Sequence, residues 1–320
     1  MSARLLPLGV DIGATRVRVV EAELCGTRAR VRAVAVRDVP AGSSSSGTLR
    51  DAQYVGAIIE DAVVELGTRQ RRCVCGIGEP DAMLRTLMLP KMTAVERERA
   101  ARFEAERHID YPVDEALVRL HRVDASGTAW VLGICRKSAI VTRSAALRAA
   151  GLKPVAMDHE ACALARAFAG FDAVVDMGHH RTSLHVTTGH APLTLQVCSG
   201  GADVTRAIER ELAVDEQTAE KRKRILGTSG AGERSRAALA SDVAALVRSA
   251  RPTHAIKRIA LVGNAARLPG IASDLETATG SLCEVPVSET LHGERYPEDV
   301  IRSSAPDWTL AAALAAWGAA

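Results

Sequence analysis

The chain lacks a strong charge of either sign. Its 41 Lys and Arg stand against 38 Asp and Glu, leaving a formal +3 over 320 residues. So small an excess argues against dedicated nucleic-acid binding, which needs a strongly basic face. Long hydrophobic runs are missing as well: the Ala-rich stretch from Trp308 to Ala320 is too short to span a bilayer. No apolar leader precedes the first strand pattern, so the expected location is the cytoplasm. Seven cysteines, at 25, 73, 75, 135, 162, 198 and 283, show no metal-type spacing, and their odd number argues against a closed disulfide set. They read as thiols of a reducing compartment. His179, His180, His185 and His190 fall close together, but no Cys, Asp or Glu completes a recognisable ligand set around them. What remains is a globular chain, 47% hydrophobic and 25% charged, long enough for two domains.

The organising stretch is Leu8-Gly9-Val10-Asp11-Ile12-Gly13-Ala14-Thr15-Arg16-Val17-Arg18-Val19. Apolar residues alternate on both sides of a small-residue tip, the pattern of a β-hairpin. Asp11 precedes the tip, and the N–H groups of residues 13 to 16 can face an anion. A carboxylate beside such amides suits a Mg-nucleotide, because Mg²⁺ keeps most of its waters and touches few protein oxygens. Taken alone, Asp-x-Gly is only a turn. A second copy, Val174-Val175-Asp176-Met177-Gly178 with a returning Leu184-His185-Val186, follows 165 residues after the first. Two such hairpins imply two related domains facing across a cleft. A third stretch, Arg258 to Gly270, reads as a buried strand, a tight turn at Gly263-Asn264-Ala265 and a helix starting near Pro269.

Between the hairpins, Tyr54 to Leu66 has helical spacing and Cys73 to Ile77 reads as a strand. Ala41 to Gly47 is a Gly/Ser loop. Thr93 and Glu96 form a capping box for a helix over Ala94 to His108. Strands are expected at Leu117–Arg122 and Trp130–Cys135, then helices over Ser138–Ala150, ended by Gly151, and over Ala161–Ala169. Further helices are expected from Ala202-Asp203, over Asp215–Arg224, over Ala237–Val247 and, Ala-rich, over Ala311–Trp317.

The three ordered motifs resemble the phosphate-1, phosphate-2 and adenosine motifs of the actin-like ATPase superfamily, which includes actin, sugar kinases and FtsA. The resemblance covers nearly the whole chain and implies an α/β, two-domain actin-like fold. Three stretches narrow it: Leu89-Pro90-Lys91-Met92, Phe103-Glu104-Ala105-Glu106-Arg107-His108-Ile109-Asp110-Tyr111-Pro112-Val113-Asp114-Glu115, and Ala149-Ala150-Gly151-Leu152-Lys153-Pro154-Val155. These look like PilM, the cytoplasmic actin-like component of type IV pilus machines. That family carries a W/F-E-A-E-x-x-I-P-F-P-x-D-E string here; this chain has Asp110 for its Pro and Tyr111 for its Phe. By this resemblance, residues 1–90 with 154–171 form the first actin-like domain, 91–153 an inserted small α+β domain, and 172–320 the second, whose last helix packs on the first.

The resemblance also implies ATP and Mg²⁺ as cofactors. Asp11 and Asp176 would hold Mg²⁺ through water. Gly13, Ala14, Thr15, Arg18, Gly178, His179, Gly200, Gly201, Glu220, Lys223, Gly263, Asn264 and Ala265 would line the nucleotide. Three departures weaken that site: Arg18 stands for the family's Lys, Asn264 for a glycine of its Gly-Gly-Gly-Ala turn, and His179-His180 for small residues. No group is placed to activate water, so the expectation is at most a weak ATPase. The implied partner is the N-terminal tail of a PilN-like inner-membrane protein, held in a groove between the first domain and the small domain. Other cytoplasmic pilus components or further copies of the chain are additional partners on this reading, and the membrane is met only through partners. Two alternatives are a small-molecule kinase, for which Asp81 and Asp158 are the nearest candidate bases, and an FtsA-like polymer, which would usually end in a basic amphipathic anchor that Ala311–Trp317 lacks.

Overall fold

The computed structural model describes every residue except 1–3, 27, 41–42, 46–47, 125–126, 190–191, 287–297 and 320. Most of the 41–47 loop, and His190, therefore lie outside the described residues. The chain opens with β1 (Arg4–Leu5), β2 (Leu8–Ile12), β3 (Arg16–Cys25) and β4 (Arg28–Asp38), then a small ribbon of β5 (Ser44–Ser45) and β6 (Thr48–Leu49). Helix α1 (Ala52–Leu66) starts where the Asp51 carboxylate accepts the Tyr54 N–H and stops at Gly67, whose φ of 63° admits the left-handed turn. Strand β7 (Arg72–Ile77) follows.

Next come β8 (Ala82–Met88), α2 (Ala94–Glu106), β9 (Ala116–Arg122) and β10 (Ala129–Arg136). Then α3 (Lys137–Ala149), β11 (Lys153–His159) and α4 (Glu160–Ala167) lead into the second half. That half holds β12 (Ala173–Met177), β13 (Thr182–Val186), β14 (Leu193–Val197), α5 (Gly201–Leu212), α6 (Glu216–Leu226) and α7 (Glu233–Ala250). It closes with β15 (Arg258–Val262), α8 (Ile271–Thr279), β16 (Leu282–Glu284) and α9 (Glu298–Ala315). Among the described residues no helix is long and apolar enough to cross a membrane.

The two large sheets share one topology. In the first, β2 is antiparallel to β3, β3 to β4, and β2, β7 and β11 run parallel. The second repeats this with β12, β13 and β14 antiparallel in turn and β12, β15 and β16 parallel. The sequence repeat is thus a repeat of whole sheets. Helices α4 and α9 lie between them: Val74 of β7, Val174 of β12 and Val262 of β15 share one core with Leu164, Leu310 and Leu314. On the outer faces, α1 and α3 cover the first sheet, and α5, α7 and α8 cover the second. With both sides covered, all of β2 is buried, as strands between two helical layers must be. Gly9 is the reason α9 fits: a Cβ there would lie 1.8 Å from the Ala311 carbonyl oxygen. The Ala-rich composition of α9 has the same effect from the other side.

The small domain is the antiparallel sheet β8–β10–β9 with α2 packed on it through Ala101 and Ala105. The capping box forms, with Thr93 and Glu96 bonding each other's backbone N–H. Strand β8 pairs with β10 along its whole length, so the sheet begins at Ala82, before the residue 91 expected from sequence. Helix α3, read as part of the insert, instead buries Ala146 and Leu147 in the core beneath α1. The closing helix starts at Glu298 and runs through Pro306, well upstream of the expected Ala311.

Candidate functional site

The hairpin register decides what Asp11 meets. With a tip closed by the Gly13 N–H donating to the Arg16 carbonyl (2.9 Å), Asp11 falls directly opposite Arg18. Arg18 Nη1 donates to Asp11 Oδ2 at 3.0 Å. The same guanidinium turns its Nε and Nη2 to Asp307 Oδ1 at 3.0 and 2.6 Å. Arg16 Nη1 adds 2.9 Å to Asp307 Oδ2, while its Nε reaches the exposed Asp38 at 3.1 Å. Asp307 sits on α9 with its side chain 7% exposed. Burial opposes its charge, but Arg18 and Arg16 hold its carboxyl below the usual range. Asp11 has a single guanidinium contact, and burial raises it instead. Asp307 is therefore the carboxylate that these arginines hold most firmly. Sequence reasoning missed it.

The second hairpin closes the same way, Gly178 N–H to Arg181 carbonyl at 2.9 Å. Asp176 stands before that turn and is pushed up to about 6, first by burial and then by Asp11, against Arg18 and Arg181. Gly263, at the end of β15 with φ 85°, packs directly on it: a Cβ there would lie 2.4 Å from Asp176 Oδ1. All three motifs thus meet. A second missed residue joins them. Glu160 opens α4 at the end of β11, and its Oε2 lies so close to Gly78 that a Cβ there would sit at 2.3 Å. Burial, Asp11 and Asp176 push Glu160 up to about 7. The sequence signal available was Gly76-x-Gly78, two glycines at the end of a strand that runs beside β11.

The two bases considered for a kinase are engaged elsewhere. Asp81 Oδ2 pairs with Arg143 Nη1 at 3.1 Å, both side chains nearly inaccessible, and Asp158 is salt-bridged to Arg166. Asp81 stands where the chain leaves the first domain for β8. Next to it the Glu79 carbonyl accepts from Arg181 Nη1, a contact that ties the second hairpin to the root of the small domain.

Across the cleft, the start of α5 is closed by the second hairpin. Gly200 N–H donates to Asp203 Oδ2 (2.8 Å), Gly201 N–H to the Gly178 carbonyl (3.0 Å) and Ala202 N–H to the His179 carbonyl (2.8 Å). Lys223, on α6, is buried and gives its ammonium to the Gly201 carbonyl (2.9 Å), Thr205 Oγ1 (2.7 Å) and Glu220 Oε2 (2.5 Å). Lys223 and its hydrogen bonds pull Glu220 down to about 2 against the effect of burial. These residues lock α6 onto α5. Burial and His180 push His179 down to about 4, so it is neutral at physiological pH, and its ring stacks edge-on against that of His180. His185 is buried on the face of β13 opposite Leu184 and Val186, bonded to Thr194 at 3.0 Å. Beyond Lys223 a cavity of about 360 Å³ is lined by Arg224, Asn264, Arg267, Leu268 and Pro306.

These residues do not fit a Mg-nucleotide as they stand. The Asp11 oxygen is taken by Arg18, Arg18 and Arg16 are turned onto Asp307, and Lys223 is fully coordinated by protein oxygens. The backbone donors of Gly13, Gly200, Gly201 and Ala202 already have acceptors. Helix N-termini and turns bind phosphate through such N–H groups when they are free.

Comparison with known proteins gives the context. A family model described as type IV pilus assembly protein PilM matches residues 9–318. A chain of a solved PilM-PilN type IV pilus biogenesis complex is 28% identical, with 99% of each chain covered and a TM-score of 0.86. The ethanolamine utilization protein EutJ from Carboxydothermus hydrogenoformans superposes at a TM-score of 0.64 with 15% identity, over 99% of this chain and 91% of that one. The nucleotide-free diol dehydratase-reactivating factor does so at 0.57 with 10% identity, over 97% and 99%. The last two show the fold alone, that of the actin-like ATPases.

Proposed function

The chain belongs to the PilM family of type IV pilus assembly proteins, and from that premise we propose that it acts as a scaffold, not as an ATP-driven engine. On this reading it docks the cytoplasmic tail of a PilN-like inner-membrane protein, and it is cytoplasmic, meeting the membrane through that partner. The observation that carries it is the end-to-end match, small domain included, to a chain of the PilM-PilN complex. The tail lies extended in the groove between the first domain and the small domain, whose junction is the apolar cluster of Ile77, Ala82, Cys135, Ala139, Ile140 and Met157. Extended peptides bind such sites through main-chain hydrogen bonds and a few side-chain pockets. The cleft supports the scaffold reading, because Asp11, Arg16 and Arg18 are tied up with one another and with Asp307, and Lys223 with Glu220. The kinase alternative has lost both of its candidate bases to ion pairs.

The test is calorimetric titration of the full chain with the N-terminal tail of a PilN-like protein. Binding at tens of micromolar or tighter is expected, about −6 to −7 kcal/mol. No binding at several hundred micromolar would refute the scaffold reading.

A further inference from the structure

The mismatch between this cleft and a Mg-nucleotide centres on one residue. We propose that Asp307 is an internal occupant of the cleft's anion seat: α9 lays its carboxylate across Arg16 and Arg18, and a nucleotide phosphate enters only by displacing it. This deepens the reading of the chain as a PilM-family member whose cleft is closed.

Four observations carry it. First, Asp307 makes three guanidinium contacts, at 2.6, 2.9 and 3.0 Å, from two arginines of the first hairpin. A carboxylate and a phosphate present the same kind of oxygen pair to that planar fork, so each can replace the other. Second, the residue before it is anchored independently: the Pro306 carbonyl accepts the Gly263 N–H at 2.8 Å. The occupant is therefore held by the first hairpin and by the turn after β15 together. Third, the 360 Å³ cavity beginning at Pro306 and Arg267 adjoins the seat, and its size is that of a small-molecule pocket. Fourth, the charge of Arg267 also acts on this carboxylate, and with Arg16 and Arg18 it favours the ionised form of Asp307, as it would that of a phosphate.

The competing obstacle is the His179-His180 pair, and the two ideas separate cleanly. Mg-ATP is titrated calorimetrically, and by its effect on the thermal melt, into the full-length wild type, Asp307→Asn and the double variant His179→Gly/His180→Ser. Asn keeps the shape of Asp307 and removes its charge. The expected result is at least about tenfold tighter Mg-ATP binding by Asp307→Asn than by wild type. A folded Asp307→Asn that binds no more tightly than wild type overturns the proposal, and so does a gain confined to the histidine variant. If Asp307→Asn does not melt cooperatively, Arg18→Lys decides by the same criterion, because an ammonium cannot serve Asp11 and Asp307 as the fork does. Titrating the same proteins with the PilN-like tail keeps the two readings apart. A wild type that binds no tail refutes the scaffold role whatever ATP does, and a wild type that binds the tail with no gain of ATP binding in Asp307→Asn refutes only the occupant.

Discussion

Replacing Glu160 by Gln should stabilise the protein above about pH 4.5, by an amount that grows up to about pH 7 and is constant beyond it. The folded Glu160 keeps its proton up to about 7, whereas an unfolded glutamate loses it near 4.5. Between those values the folded chain holds the extra proton, so stability falls as pH rises through this window and the loss is complete above it. At 1.36 kcal/mol per pKa unit the penalty at about pH 8 is about 3 kcal/mol, an upper figure because the side chain keeps some solvent contact. Gln has nearly the same shape against Gly78 and carries no charge, so it escapes the penalty. Urea melts of both proteins, followed by far-UV circular dichroism at several pH values, read the effect. Glu160→Gln should gain up to about 3 kcal/mol at pH 8 and converge on wild type as the pH approaches 4.5. A difference independent of pH, or a variant less stable than wild type at pH 8, would refute the assignment of a buried, proton-holding carboxyl between Asp11 and Asp176.

Asp81→Ala or Arg143→Ala alone should cost about 3–5 kcal/mol, since each strands its partner's charge where the side chains are only 3% and 4% exposed, and the double variant should cost far less than the sum. Additive losses across the four urea melts would show that the pair is not coupled. Gly9→Ala drives a methyl to within 1.8 Å of the Ala311 carbonyl oxygen and should push α9 off β2. The expected loss is about 1–3 kcal/mol or more, and an unchanged melting temperature would contradict the packing described.

Much of the fold was legible because its signals are local. Alternating Leu8, Val10 and Ile12, then Val17 and Val19, sends one side of the first hairpin to α1 in the structure, as a period of two requires. The second Asp-x-Gly turned a lone turn into a repeat, and the matching sheet topologies are that repeat in three dimensions. The edges of the insert were less legible. Val74 and Leu84 both sit in apolar strands, but β7 pairs with β2 and β11 while β8 pairs with β10, a long-range choice with no signature in period or composition. Helix α3 shows the same limit. Its apolar face is readable, yet nothing local says that this face meets α1.

The site divides along the same line. The Asp11–Arg18 contact follows from arithmetic alone: a hairpin whose tip pairs residues 13 and 16 sets 11 opposite 18. Its functional consequence does not follow, because the other carboxylate on that guanidinium is 289 positions downstream. Asp307 was hidden by the proline before it, which reads as a stop within a helix. Here the strand β15 turn uses that proline's carbonyl, and the helix passes through to deliver Asp307 to the cleft. Glu160 was hidden by one residue of boundary, since the strand extends to His159 and the carboxylate then falls at the first position of α4, within reach of the charges of Asp11 and Asp176, whereas Asp158 pairs with Arg166. Both residues act through neighbours that only the closed pair of sheets supplies. The motifs therefore told where the cleft is, and the residues that decide what it admits came from the helices packed between the two sheets.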